Sequence, residues 1–200
     1  TETATATLKT SDDDTAGITI DNNGTKDSSG NLLTKESGTT STFTVVLDNK
    51  PTGNVTVSIT GDDSTEHQLS SSSLTFTPSN WNTAQTVTVT GVDDSLDDGD
   101  ITTTITATAS NTGGYAGTET ATATLKTSDD DTAGITIAQA STPLVTTEAG
   151  STASFTVVLD AKPTGNVTIA ITGDDSTEHQ LSSSSLTFTP SNWNTAQTVT

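Results

Sequence analysis

The sequence predicts an all-β protein, and three observations carry that reading. Apolar residues alternate with Thr and Ser in short runs, the period of a strand with one buried face. Clusters of Gly, Pro, Asn and Asp separate the runs at close intervals. No stretch holds a helical period beyond a turn. With about seven such runs per repeat, the pattern predicts tandem immunoglobulin-like antiparallel β-sandwiches.

Taken in order, Phe43, Val45 and Leu47 point one way, with Thr44 and Val46 the other. Lys50-Pro51-Thr52-Gly53 reads as a turn. Val55, Val57 and Ile59 alternate with Thr56 and Ser58. Leu74-Thr75-Phe76 is a further strand, closed by Pro78-Ser79-Asn80-Trp81. Val87 and Val89 alternate with Thr, as do Ile105, Ala107 and Ala109, and then Ala121, Ala123 and Leu125. Thr suits the outward positions because it is β-branched and carries a hydroxyl. Trp81 and Trp193 are read as plugs at a sandwich end, and Tyr115 as packing at the corner before the last strand.

The chain repeats itself. Residues Thr1 to Ile20 recur unchanged as Thr118 to Ile137, an offset of 117. Residues Gly61 to Thr88 recur unchanged as Gly173 to Thr200, an offset of 112. The difference lies within residues 21–41, a Gly-, Asn- and Ser-rich stretch read as an exposed variable loop. A period of this length is the size of one independent domain. The expected organisation is the last strand of a preceding repeat (1–14), one complete repeat (15–131) and a partial following repeat (132–200). The sequence starts and stops inside the pattern, as a window on a longer array would.

Composition narrows the function. Of 200 residues, 25 are Asp or Glu and 6 are Lys, for a net charge of −19. No basic patch is available to bind nucleic acid or an anionic membrane, and no apolar run reaches membrane-spanning length. There is no Cys, hence no disulfide framework. Low hydrophobic content (28%) makes thin cores, which a bound cation could reinforce.

The acids gather between strands. Three adjacent carboxylates repel one another, yet Asp129-Asp130-Asp131 stands between two predicted strands and repeats as Asp12-Asp13-Asp14. Alone, such a run is a solvated linker. Glu36 precedes the Phe43 strand, and Asp62, Asp63 and Glu66 follow the Ile59 strand. Asp93, Asp94, Asp97, Asp98 and Asp100 follow the Val89 strand. Strand direction alternates in a sandwich, so Glu36, the 93–100 loop and residues 129–131 can meet at one end. Hard oxygen donors without His or Cys suit Ca2+ better than zinc or copper.

The segment Ala121-Thr122-Ala123-Thr124-Leu125-Lys126-Thr127-Ser128-Asp129-Asp130-Asp131-Thr132-Ala133-Gly134-Ile135 resembles the end of a Calx-beta domain running into the next. The loop Gly91-Val92-Asp93-Asp94-Ser95-Leu96-Asp97-Asp98-Gly99-Asp100 is similar to that family's acidic loop. Glu36 and Glu148 fall where the family has a glutamate before its second strand. The resemblance spans the whole repeat. It implies a sandwich binding Ca2+ at one end, with Glu36, Glu66, Asp93, Asp94, Asp97, Asp100, Asp129, Asp130 and Asp131 as ligands. Ser95 replaces an acid common in the family, the loop is one residue shorter, and Glu66 stands where Asp is usual.

The expected function is therefore structural: a calcium-binding repeat segment of a long bacterial extracellular or cell-surface protein, such as an adhesin stalk, sheath or filament. Its partners would be neighbouring repeats and other copies in a filament. The alternative is a glycan- or protein-binding module using the loop 21–41. An enzyme is not expected. His67 and His179, read as surface-loop residues, give one His per repeat, and no triad, phosphate loop or zinc motif is visible. Glycoside hydrolysis would need an aromatic-lined cleft, and only 4% of residues are aromatic.

Overall fold

A computed structural model describes residues 2–11 and 13–200. Thr1 and Asp12, the latter part of the first Asp-Asp-Asp run, lie outside the described residues. The fold is all-β and sandwich-like, and it divides into two compact units. The first comprises residues 1–92 and 101–128; the second comprises 93–100 and 129–200.

Among the described residues the first unit holds nine strands: β1 (Ile18–Asp21), β2 (Leu32–Lys35), β3 (Thr40–Leu47), β4 (Val55–Thr60), β5 (His67–Leu69), β6 (Ser73–Phe76), β7 (Gln85–Gly91), β8 (Ile101–Ala109) and β9 (Thr120–Ser128). One sheet runs β1-β3-β7-β5, the other β2-β9-β8-β4-β6. Their inner faces share one core, in which Phe43, Val45, Val55, Val57, Phe76, Val87, Val89, Ile105 and Leu125 are inaccessible to solvent. The alternation in the sequence is the cause: β4 reads buried–exposed at every step. Each fully buried aliphatic or Phe side chain contributes about 1.5–3 kcal/mol. Trp81 packs against the edge of this core, and Tyr115 is buried at the corner before β9. The Tyr115 hydroxyl donates to Asn49 O at 2.9 Å and lies 3.3 Å from Gly17 O.

Three details differ from the expectation. The stretch 21–41 is not simply an exposed loop: Leu32 and Thr34 are fully buried on β2. That leaves the turn around Asp27–Gly30, capped by Asp27 accepting from Ser29 N and Asn31 N, as its free part. The sheet is not wholly antiparallel, because β2 pairs with β9 in parallel register, Leu32 opposite Leu125 and Lys35 opposite Ser128. Residues 3–11 form no strand and are exposed, although their sequence repeats that of β9. The reason is the neighbourhood: β9 is clamped between β2 and β8, and the described residues offer residues 3–11 no such partners.

The second unit has β10 (Ile135–Gln139), β11 (Phe155–Leu159), β12 (Val167–Ala170), β13 (Ser185–Phe188) and β14 (Gln197–Val199). They pair as β10-β11-β14 and β12-β13, around a smaller core of Val157, Leu159, Leu186, Phe188 and Val199. Ile135 opposes Leu159 as Ile18 opposes Leu47, but Ile18 is 8% exposed and Ile135 50%. Among the described residues no helix is long and apolar enough to cross a membrane.

Candidate metal centre

Within the first unit, hydrogen bonding fixes where the acidic segments begin. Lys35 pairs with Ser128, and Glu36 N donates to Ser128 O at 3.1 Å. His67 pairs with Gly91, and Val92 N donates to Glu66 O at 2.8 Å. Ile101 pairs with Thr127. Gly91 is required here, since a Cβ would strike the Lys35 carbonyl. One end of this sandwich therefore carries Glu36, Glu66, Val92, Ile101 and Ser128. From these last three the chain continues covalently to Asp93, Asp100 and Asp129.

Glu36 and Glu66 are both buried, at 2% and 6% exposure, and their carboxylate oxygens lie within 4.8 Å of each other. Two carboxylates so placed oppose each other's ionisation, and burial adds to the cost. A cation shared between them would offset both costs.

In the second unit the remaining acids surround a tight backbone arrangement. Asp129 accepts from Gly99 N at 2.7 Å with one oxygen and from Asp131 N at 2.8 Å with the other. Asp100 accepts from Asp129 N at 3.2 Å, Asp94 from Leu96 N at 2.6 Å, and Asp97 from Ala133 N at 2.7 Å. Asp129 and Asp131 bring carboxylate oxygens within 4.8 Å of each other. Desolvation, then the charges of Asp129, Asp130, Asp93 and Asp94, raise the Asp131 carboxyl above its ordinary value. Asp93 and Asp130 are exposed and act on the group through charge.

Asp98 was not among the sequence-derived ligands, yet it belongs to this set. Desolvation, then Asp94, Asp129 and Asp97, raise its carboxyl. The only sequence signal was its place beside Asp97 in Leu96-Asp97-Asp98-Gly99-Asp100. The structure thus brings together Glu36 with Glu66 in one unit, and Asp129, Asp131, Asp94 and Asp98 in the other. Asp97 and Asp100 each hold one backbone amide of their own unit, as Asp94 does, and Asp129 holds two.

His67 is not the surface residue expected. It is fully buried, with Nε2 2.9 Å from Gly61 O and Nδ1 3.3 Å from Thr127 Oγ1. Its equivalent His179 keeps the first bond, at 2.8 Å to Gly173 O, but is exposed.

The donor groups gathered here are carboxylates, with no imidazole nitrogen or thiolate among them. Such a set fits a hard divalent cation with several oxygen ligands, and Ca2+ accepts irregular loop geometry more readily than Mg2+ does.

No family model and no curated protein matches the chain. Solved structures match it at low identity and low structural similarity. The apo-form Calx CBD1 domain is 16% identical, covering 58% of this chain and 98% of its own, at a TM-score of 0.39. CBD12 from CALX1.2 is 18% identical, covering 86% and 72%, at 0.38. The YadV chaperone is 11% identical, covering 91% and 83%, at 0.39. Likeness of this degree carries no conclusion for this chain; its own strands show an all-β, sandwich-like protein with acidic groups gathered between strands.

Proposed function

We propose that this chain is a structural, calcium-binding repeat segment of a long extracellular or cell-surface protein of adhesin, sheath or filament type. The observation that carries the reading is the buried Glu36–Glu66 pair, two carboxylates held within 4.8 Å at a sandwich end. Ca2+ there would be supplied with oxygens by Glu36 and Glu66. Asp94, Asp98, Asp129 and Asp131 form the second group of acids with donors to offer, and Asp93 and Asp130 add negative potential. The bound ion supplies charge neutralisation, and the strands supply fixed ligand positions. The sequence repeat and the resemblance to Calx-beta domains support tandem use of the module, with Ca2+ stiffening each domain end.

Extracellular calcium modules operate with dissociation constants of about 10⁻⁴–10⁻³ M. Isothermal titration of the 200-residue chain with Ca2+ should give binding in that range, and Mg2+ should bind more weakly. Glu36→Gln and Glu66→Gln should each weaken Ca2+ binding at least tenfold. Absence of binding at millimolar Ca2+ would reject the proposal. A glycan array probed with the same chain separates it from recognition through residues 21–41.

A further inference from the structure

Next to the buried glutamates of the first unit in sequence stands a set of buried polar side chains that the charge count does not reveal. Thr34, His67 and Thr127 are each at most 1% exposed. The Gly61 carbonyl can only accept, so His67 Nε2 carries the proton of their 2.9 Å bond. In that tautomer Nδ1 accepts from Thr127 Oγ1 at 3.3 Å. The Thr34 hydroxyl lies 3.2 Å from the Thr127 oxygen and shares its proton between that oxygen and Lys126 O at 3.5 Å. The chain of bonds joins β5 of one sheet to β9 and β2 of the other. Buried polar groups are kept when fully satisfied, because they then fix one arrangement of the elements they join.

The positions of these residues in sequence give the layer its meaning. His67 directly follows Glu66. Thr34 lies two residues before Glu36, on the same side of an extended chain. Thr127 lies two residues before Asp129. Each polar residue thus stands one or two residues from an acid on its own segment. Outer groups that fix the segments carrying metal ligands also fix the ligands, and loss of such partners typically costs about 10–100-fold in affinity. The contrast with His179 separates local from long-range causes. The bond to the glycine carbonyl belongs to the local sequence and forms in both copies, whereas burial and the Thr127 bond require β9.

We infer that the Thr34–Thr127–His67 layer is a positioning plate for the cation site: it locks the registers of β2, β5 and β9 so that Glu36 and Glu66 converge. The inference rests on the calcium reading above. Thr34, Thr127 and His67 touch no ion themselves and act through the acids they orient.

The test is calcium titration and EDTA melting of the full chain, wild type beside Thr127→Val, Thr34→Val and Thr127→Ser. Valine keeps the β-branched shape and removes the hydroxyl. Both valine variants should bind Ca2+ about tenfold or more weakly, and Thr127→Ser, which keeps the hydroxyl, should bind like wild type. Should Thr127→Val fail to fold, Thr34→Val decides, since its site lies away from the His67 ring. Valine variants that melt earlier in EDTA yet bind Ca2+ within twofold of wild type would overturn the inference, leaving the layer a matter of stability. Unchanged binding with unchanged melting would overturn it equally. A wild-type chain that binds no Ca2+ would instead reject the calcium reading, and the positioning role with it.

Discussion

Leu125 and Leu8 occupy the same place in two copies of one sequence, and their substitution should have very unequal consequences. Leu125 is fully buried on β9, an inner strand between β2 and β8. Leu8 is 92% exposed. Truncating a buried leucine to alanine removes its transfer free energy and leaves a cavity, at about 2–5 kcal/mol. Strands on both sides of β9 limit collapse into the gap, so Leu125→Ala should fall in the upper half of that range. For a unit of this size the loss lowers the melting temperature by roughly 10–20 °C. Leu8→Ala should stay within about 0.5 kcal/mol of wild type. Differential scanning calorimetry of the full chain, at one fixed Ca2+ concentration, reads both. Equal shifts for the two variants would refute the claim that pairing with β2 and β8, rather than the sequence of the segment, makes β9 a strand. A shift below about 3 °C for Leu125→Ala would refute the packing described for the first unit.

Other outcomes follow from single contacts. Gly91→Ala drives a methyl into the Lys35 carbonyl and should cost more than about 2 kcal/mol by chemical denaturation, a penalty absent if β2 were a free loop. Tyr115→Phe leaves the Asn49 carbonyl without its 2.9 Å donor and should cost about 1–2 kcal/mol in the same assay. Glu119 accepts from Ala116 N, Gly117 N and Thr118 N, and these bonds, that to Ala116 first, hold its carboxyl below the ordinary 4.5. Its contribution to stability is therefore present above that value and is lost as pH falls through the lowered one. An NMR titration placing the Glu119 midpoint at or above 4.5 would contradict this, and Glu119→Gln should remove that part of the acid dependence.

The sandwich was legible in the sequence because its core residues alternate cleanly, as in Phe43-Thr44-Val45 and Val55-Thr56-Val57. The β2 strand was not. It is four residues long, set among Gly, Asn and Ser, and its burial comes from parallel pairing with a strand about ninety residues away. His67 was misread for a related reason. Its local sequence is that of a turn, and only the Thr127 hydroxyl, reached through the long-range fold, makes it a core residue. Glu36 and Glu66 stood out as acids beside strands, but nothing local said that they face each other inside the protein. The Asp-rich segments were plain from charge alone. Which of their carboxylates hold backbone amides, as Asp97 and Asp100 do, depends on turns that composition does not encode.

The central claim, that a cation at the sandwich end holds this fold together, is tested most directly by melting the chain in EDTA and in millimolar Ca2+. A site of about 10⁻⁴ M at about 5 mM Ca2+ adds roughly 2 kcal/mol to the folded state, and therefore several degrees to the melting temperature. The account predicts that rise, and its loss in Glu36→Gln. Superimposable melting curves in EDTA and Ca2+ would contradict it.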